Sequence, residues 1–326
     1  MELAHPVLAI LVVTCSLLIV RLFHLAQYPY PAMSAEAVAF GHAEAPFHLR
    51  LLAPMMARGL FELTGLGRFV HWYFVVQFAF VTSAFAAIYV WLRLYFEGPQ
   101  SQLGVALAPI ILLWSMDMPA ADAFPQVFFF TLAFIFLHQR RGGAFVLTFL
   151  VAVTNRETIA ALLLPFLIHR WPSDGPLGQR HLRVAACVVV MAGWVVAWKL
   201  WIGPAFSPTI TENKLALFQF NANLAMLTDW DHTLNPFAKN PFTILGYTWL
   251  LVLFAWKRLP AFVRMLCLCW LPYLGLMLVV AKITETRVHM EWTAVALAVA
   301  VTALQGKSLS KGTEPPTGPP EHSHQL

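Results

Sequence analysis

Long apolar blocks constrain what this chain can fold into more than any other feature of its sequence. Phe69–Leu92 and Val184–Ile202 carry almost no charge, and each approaches the roughly 20 residues that a helix needs to cross a bilayer. Inside lipid, backbone N–H and C=O groups must pair within the protein, and a single segment can do this only as a helix. The blocks therefore predict membrane-spanning helices.

The composition supports the same interpretation. Charged residues make up 11% of the 326 residues and hydrophobic residues 59%, whereas soluble domains are about 25% charged. The formal net charge of +5 does not indicate nucleic-acid binding, because the basic residues lie between apolar blocks, as in the cytoplasmic loops of membrane proteins. We expect the lipid bilayer as a partner and no nucleic acid.

The apolar segments predict an all-α, polytopic membrane fold with about eight spanning helices plus a pair of half-helices. The eight candidate spans are Pro6–Phe23, Phe69–Leu92, Gln102–Met116, Phe124–Leu137, Val184–Ile202, Phe242–Trp256, Arg264–Ala281 and Glu291–Leu304. Two further segments, Ala144–Val153 and Ile159–Ile168, are too short to span alone and flank the polar sequence 154–158. Charge in mid-membrane is costly, so we expect these two half-helices to turn together at that polar tip.

Basic residues in the short loops favour an orientation with both termini in the cytoplasm. The first apolar segment lacks the positively charged start of a signal peptide, so we expect it to be a retained helix. Residues 1–305 are predicted to form one transmembrane domain. Residues 306–326 are rich in Gly, Pro, Ser and Thr and are predicted to be a disordered cytoplasmic tail.

The first outer loop carries the most polar cluster. Arg50–Leu63 has the spacing of an amphipathic helix lying at the membrane interface, and a second such helix or a lid is predicted in Leu215–Leu227. A partly desolvated carboxylate in the first loop is a candidate general base, and arginine suits a phosphate group. The candidates in this loop are Glu36, His42, Glu44, His48 and Arg50. A metal site from the two histidines and Glu44 is a weaker alternative, because their spacing matches no zinc motif.

Further candidates fall on the same outer side. Ionisable residues within membrane segments are functional candidates by default, but Arg156 and Glu157 could instead pair with each other and pin the turn. Glu291 could likewise pair with Arg287 at the start of the last helix, and Asp122 could cap a helix. The additional binding candidates are Asp122, Asn155, Arg156, Glu157, Lys282, Glu285 and Arg287.

Several short motifs occur in an order that resembles bacterial membrane glycosyltransferases of the GT-C type. Glu36 and Phe40 precede Pro46-Phe-His-Leu-Arg50-Leu-Leu-Ala-Pro54, and Asp122 stands in an outer turn. Asn155-Arg156-Glu157 follows between short helices, and Glu285-Thr-Arg287 comes late in the chain. The resemblance covers most of the chain. This chain has Glu36 and Phe40 where that family has Asp and Tyr, and its first loop lacks an Asp pair.

The resemblance implies transfer of a sugar from a polyprenyl-phosphate donor to a glycan or lipid acceptor at the outer face of the bacterial cytoplasmic membrane. Glu36 or Glu44 would act as base, and later arginines would hold the lipid phosphate. The resemblance does not fix a cofactor, but a divalent cation is compatible with this chemistry. Two alternatives stay open: a transporter or flippase of a lipid-linked or anionic solute, and a non-catalytic membrane assembly subunit.

Overall fold

The computed structural model describes residues 5–25, 34–43, 50–115, 123–170, 179–202, 220–228, 241–280 and 286–305, and these residues form helices and short connections. The α-helices are α1 (His5–Leu25), α2 (Ala35–Ala39), α3 (Leu52–Thr64), α4 (Phe69–Arg93), α5 (Gly98–Ser115), α6 (Ala123–His138), α7 (Gly142–Val153), α8 (Leu163–Arg170), α9 (Gln179–Ala197), α10 (Phe220–Thr228), α11 (Leu251–Ala255), α12 (Ala261–Val280) and α13 (Thr293–Gln305). Four 3₁₀ segments, Glu157–Leu162, Pro241–Leu250, Trp256–Arg258 and Thr286–Trp292, and a π-helical turn at Trp198–Ile202 complete the described structure.

Three of these helical stretches are long and apolar enough to cross a membrane: Phe69–Arg93, His181–Trp201 and Ala261–Val279. The chain is therefore an all-helical protein with the features of a multi-pass membrane protein. Within the described ranges, Pro6–Leu22, α6 and α7 are shorter apolar helices. The full set of eight spans stays a prediction.

Large apolar side chains cover much of the outer surface. Leu182 and Val189 on α9 are 70% and 69% exposed, and Leu253 and Phe254 on α11 are 75% and 73% exposed. Soluble monomers rarely show apolar surface on this scale. Lipid tails are the environment in which such side chains carry no hydrophobic penalty.

The core forms around α4 and α13. Every residue from Thr293 to Thr302 on α13 is buried, and its small side chains let neighbouring helices approach closely. The indole N–H of Trp91 on α4 donates to the carbonyl of Ala294 at 2.9 Å. This bond ties the two helices together and gives the buried indole N–H a partner.

The predicted half-helices are present. α7 ends at Val153, and the chain resumes as the 3₁₀ turn Glu157–Leu162 and then α8. The rings of Phe145, early in α7, and Phe166, in α8, stack with centroids 4.9 Å apart. The start of α7 therefore lies beside the end of α8, and the segment returns to the side from which it came. We call residues 142–170 the hairpin.

The predicted helix of the first loop is present as α3, which begins at Leu52 and ends at a left-handed Gly65. The guanidinium of Arg58 binds the carbonyl of Ala39 at 2.9 Å and lies 5.1 Å from the ring centroid of Phe40. Arg58 therefore fastens α2 against α3. In the second long loop, the helix predicted in Leu215–Leu227 is observed as α10, beginning at Phe220.

The predicted helix Phe242–Trp256 is not one regular α-helix. It consists of the 3₁₀ segment Pro241–Leu250, the short α11 and a second 3₁₀ turn. Leu245 and Tyr247 have φ of +52° and +63°, values that L residues adopt only at a cost. These two left-handed residues prevent a continuous helix. The predicted tail, residues 306–326, lies outside the described residues.

Candidate functional site

The break in the hairpin places polar residues at the centre of the structure. Asn155 is completely buried and Arg156 is 5% exposed. The backbone N–H groups of Leu51 and Leu52 both donate to the carbonyl of Thr154, at 3.1 and 3.2 Å. The first loop therefore meets the hairpin at this break. These bonds bring Arg50, itself buried, into the same region of the backbone.

A buried carboxylate, Glu291, organises the other half of the cluster. It is 1% exposed and lies near the end of the 3₁₀ segment Thr286–Trp292. The phenol of Tyr273 on α12 donates to its Oε2 at 2.9 Å, and the hydroxyl of Thr158 donates to its Oε1. Arg156 Nη1 lies 3.7 Å from the same Oε1. Two hydroxyl groups and one cation thus compensate the cost of burying this charge.

Two side-chain amides, of Asn155 and of Gln126 on α6, extend this network. Asn155 Nδ2 donates to Gln126 Oε1 at 3.0 Å, and Gln126 Nε2 donates to the hydroxyl of Thr158 at 3.3 Å. The network therefore runs from Asn155 to Glu291 through two intermediate side chains. We call Gln126, Asn155, Arg156, Thr158, Tyr273 and Glu291 the buried polar cluster.

His289 borders the cluster. Its ring lies edge-on to Trp270 and Tyr273, with centroids 6.1 and 5.9 Å away. The side chain is fully buried, and neither ring nitrogen has a hydrogen-bond partner among the described residues. Burial, with a smaller contribution from the Arg156 charge, lowers the pKa of His289 to about 3. The imidazole is therefore neutral at neutral pH and can both donate and accept a hydrogen bond.

The structure gives Arg156 a partner that the sequence interpretation did not name. Arg156 forms an ion pair with Glu291, whereas the sequence left open a pair with its neighbour Glu157, which begins the following 3₁₀ turn. The possible pairing of Glu291 with Arg287 stays a prediction, because the side chain of Arg287 is not among those that the structure describes.

The candidate base Glu36 lies on α2 and is exposed, as is His42. The protein itself therefore does not desolvate Glu36. The desolvated carboxylate of the described structure is Glu291. Glu36 nevertheless belongs to the same assembly of elements, since α2 packs on α3 and α4, and the residues just before α3 meet the hairpin.

Several predicted site residues lie outside the described residues: Glu44, His48, Asp122, Lys282 and Glu285. For Arg287 the backbone is described as part of a 3₁₀ segment, but its side chain is not. The predicted alternative of a metal site with Glu44 and His48 therefore stays untested. Elsewhere in the described ranges, no group of three or more His, Cys, Asp or Glu side chains could hold a metal ion.

Comparisons with known proteins identify no relative. No family model matches the chain, and no curated protein and no solved structure matches it either. The inference of function therefore depends on the residues themselves.

Sequence reasoning missed Gln126, Thr158 and Tyr273 as members of the site. Gln126 carried a signal, because an amide in an otherwise apolar helix needs a partner within the protein. Tyr273 carried a weaker signal of the same kind, because it stands in the middle of the apolar segment Arg264–Ala281 and a buried phenol usually finds a hydrogen-bond partner. Glu291 was noticed, but only as a possible partner of the nearby Arg287.

Proposed function

We propose that this protein is a GT-C-like membrane transferase that moves a sugar from a polyprenyl-phosphate donor to a glycan or lipid acceptor. It would act at the outer face of a bacterial cytoplasmic membrane. About eight spanning helices, both termini in the cytoplasm and interfacial helices in the outer loops belong to this proposal. The observation that carries it is the meeting of the first loop with the hairpin break at Thr154.

That meeting supports the proposal because it joins two of the segments on which the resemblance depends. The segment ending in Pro54 and the Asn155-Arg156-Glu157 segment are far apart in the sequence. They are connected by two backbone hydrogen bonds to one carbonyl. The late segment joins them through Glu291, four residues beyond Arg287. Such an assembly is what a catalytic site built from separate motifs requires.

The proposed reaction is an inverting substitution at the anomeric carbon. The acceptor hydroxyl oxygen forms a bond to this carbon, and the bond from the carbon to the phosphate oxygen breaks. The polyprenyl phosphate departs with the electron pair, and Glu36 takes the hydroxyl proton. Arg50 and Arg287 would stabilise the negative charge on the leaving phosphate. In this assignment the buried polar cluster has a structural role. It holds the hairpin break and the segment Thr286–Trp292 in fixed positions relative to each other.

The decisive experiment measures turnover directly. The purified protein is placed in lipid nanodiscs with a panel of polyprenyl-phosphate sugars and candidate acceptors, and mass spectrometry follows donor consumption and product. We expect turnover by the native protein and at least a hundredfold slower turnover by Glu36→Gln, because a general base contributes about 10²–10⁴-fold.

A matched variant controls for loss of charge alone. Glu97→Gln changes another exposed carboxylate, just before α5, and should leave the rate unchanged. Native-like turnover by Glu36→Gln would remove Glu36 as the base. Absence of turnover with every donor would favour the assembly-subunit alternative or transport.

One observation favours transport as the second candidate. Helices that break beside buried charge are typical of transporter binding sites, and the hairpin breaks at Arg156. Vesicle flux of an intact lipid-linked solute, without covalent change, would establish that activity instead.

A further inference from the structure

The turn between α6 and α7 carries positive charge at one end of the helical bundle. Gln139, Arg140 and Arg141 connect two apolar helices, and all three side chains are exposed. Polar connections of this kind are excluded from the hydrocarbon of a bilayer unless protein covers them. The turn therefore lies where the membrane meets water.

A third arginine reaches the same turn from the other arm of the hairpin. Nη2 of Arg170, the last residue of α8, lies 3.3 Å from the position that a Cβ of Gly142 would occupy. Burial, and after it nearby positive charge that includes Arg140 and Arg170, lowers the pKa of His169 to about 4. The two guanidinium groups therefore lie near one imidazole ring. We call Arg140, Arg141 and Arg170 the arginine surface.

Local backbone chemistry disfavours arginine at this turn. α6 ends in a Schellman motif, in which the N–H groups of Arg140 and Arg141 donate to carbonyls of its last turn at 3.0 and 2.9 Å. Arg140 thereby occupies the left-handed position of the motif, with φ of +58°, where glycine is usual. Arg141 stands at the N-cap of α7 without a side-chain cap bond, although the positive end of a helix disfavours cations. Both arginines are therefore placed against local preference.

The charge at this turn has no acidic partner in the described part of the chain. Neither Arg140 nor Arg141 forms an ion pair there, and the first turn of α7 contains no acidic residue. The space beside the turn is open, because a Cβ at Gly143 would meet no atom within 4 Å. Residues that oppose local preference are expected at functional positions, and here the compensation that is missing is a negative charge.

An apolar stripe leads from the arginine surface along α7. Gly143, Leu147 and Val151 are four residues apart and share one helix face, and all three are exposed. Leu147 is 64% exposed and Val151 38%. A molecule with its negative charge at the arginine surface can therefore lay an apolar chain along this stripe.

The neighbourhood of the arginine surface defines the anion. Phosphate groups are concentrated at the membrane boundary, and the planar guanidinium fork pairs with phosphate oxygens. We propose that Arg140, Arg141 and Arg170 bind the phosphate of an anionic phospholipid, with an acyl chain lying on Leu147 and Val151. This binding includes no transfer step and does not depend on the proposed glycosyl transfer.

The test measures lipid retention by native mass spectrometry. The full-length protein in neutral detergent is titrated with phosphatidylglycerol or with phosphatidylcholine carrying the same acyl chains, and peak intensities give the apparent Kd of the first retained lipid. We expect tighter retention of phosphatidylglycerol. A cation at an anionic membrane surface contributes roughly fivefold in affinity, so Arg140→Gln and Arg141→Gln should each weaken retention of phosphatidylglycerol by that factor. Retention of phosphatidylcholine should not change.

Arg93→Gln is the control for diffuse attraction between charges. Arg93 is exposed at the end of α4. It lies at the same end of the bundle as the arginine surface, because the nearby Tyr95 hydroxyl lies 3.2 Å from Nδ1 of His138. The substitution should leave the affinity for phosphatidylglycerol unchanged. Equal losses in Arg93→Gln and Arg140→Gln would indicate general attraction to the membrane and would overturn the proposal.

Glycine positions separate lipid binding from folding. Arg140→Gly relieves the left-handed conformation, so it should raise the Tm in neutral detergent while it weakens phosphatidylglycerol retention by roughly fivefold. Gly143→Asp places a carboxylate in the open space at the start of α7, where it should stabilise the helix and compete with the lipid phosphate. Gly143→Ala adds no charge and should retain the lipid as the native protein does.

Two further outcomes would overturn the proposal. The first is native affinity for phosphatidylglycerol in Gly143→Asp, because the added carboxylate then leaves the lipid phosphate undisturbed. The second is displacement of the lipid by inorganic phosphate beyond the effect of chloride at equal ionic strength, which would assign the surface to a soluble phosphate. The turnover assay with Glu36→Gln is a separate measurement, so failure of lipid binding and failure of the proposed transfer remain distinguishable.

Discussion

At the residue scale, the main result is the partner that the structure gives to Arg156. The sequence marks Arg156 as unusual, because a charge inside an apolar block needs compensation. It does not reveal the partner, because Glu291 lies in a different segment, more than a hundred residues away. Tertiary packing decides that contact. Local spacing instead suggests neighbours such as Glu157, and the sequence interpretation left that pair open beside a role in binding.

The first prediction concerns this ion pair. Removing either charge alone leaves the other buried without its partner, so Arg156→Gln or Glu291→Gln should each cost about 3–5 kcal/mol. The double variant should cost less than the sum, with a coupling of about 1–3 kcal/mol. Reversible unfolding in mixed micelles gives the four free energies that this cycle needs.

The exposed pair of Arg58 and Glu62, 2.6 Å apart, is the matched control for that cycle. Surface pairs of this kind couple by at most about 1 kcal/mol. Equal coupling in the two pairs would show that Arg156 and Glu291 do not interact as a buried pair.

At the scale of the element, the hairpin was predictable and the segment Pro241–Leu250 was not. Two short apolar runs around Asn155-Arg156-Glu157 are a strong signal, because a charged tip cannot remain inside one continuous lipid-facing helix. Pro241–Leu250 is mostly apolar, and a break signal in it is Gly246. The sequence does not identify the flanking Leu245 and Tyr247 as the left-handed residues. The segment packs against α5 and α13.

The second prediction concerns the contact between α5 and its neighbours. A Cβ at Gly104 would overlap the Leu92 side chain of α4 and lie 3.2 Å from Val301 Cγ2 of α13. Gly104→Ala should therefore destabilise the protein by about 1–3 kcal/mol through overpacking. In the Leu92→Ala background the same change should cost less, because the added methyl group then occupies vacated space.

Gly193→Ala provides the contrast for this prediction. On α9 a Cβ at Gly193 would meet no atom within 4 Å, so alanine should stabilise the helix by about 0.5–1 kcal/mol. Unfolding measured in the same micelles compares the two glycines. A Gly104→Ala variant as stable as Gly193→Ala would contradict the close approach of α5 to α4 and α13.

At the scale of the whole molecule, the membrane character follows from composition, whereas the arrangement of the helices does not. Charge content and apolar blocks were sufficient to predict an all-helical protein. They could not show that α13 would be buried on every side while α9 would be largely exposed. Both helices are apolar, and in lipid the hydrophobic effect does not distinguish a buried apolar face from a lipid-facing one.

The third prediction concerns orientation. In a variant whose native cysteines are replaced by alanine, single cysteines are introduced at Glu36 and at Gln139, both exposed positions. If both termini are cytoplasmic, a membrane-impermeant maleimide should label the Glu36→Cys protein in intact cells. The Gln139→Cys protein should react only after lysis. The reverse pattern would invert the proposed topology.

The hairpin also has a consequence for biogenesis. Residues 142–170 together are long enough to be inserted as one crossing, and every segment after them would then face the opposite compartment. In the folded protein the stacked rings of Phe145 and Phe166 join the two arms. The arms are far apart in a nascent straight helix and meet only after the chain has turned. In the proposed topology, we therefore expect the sidedness of the C-terminal half to depend on this contact forming during insertion.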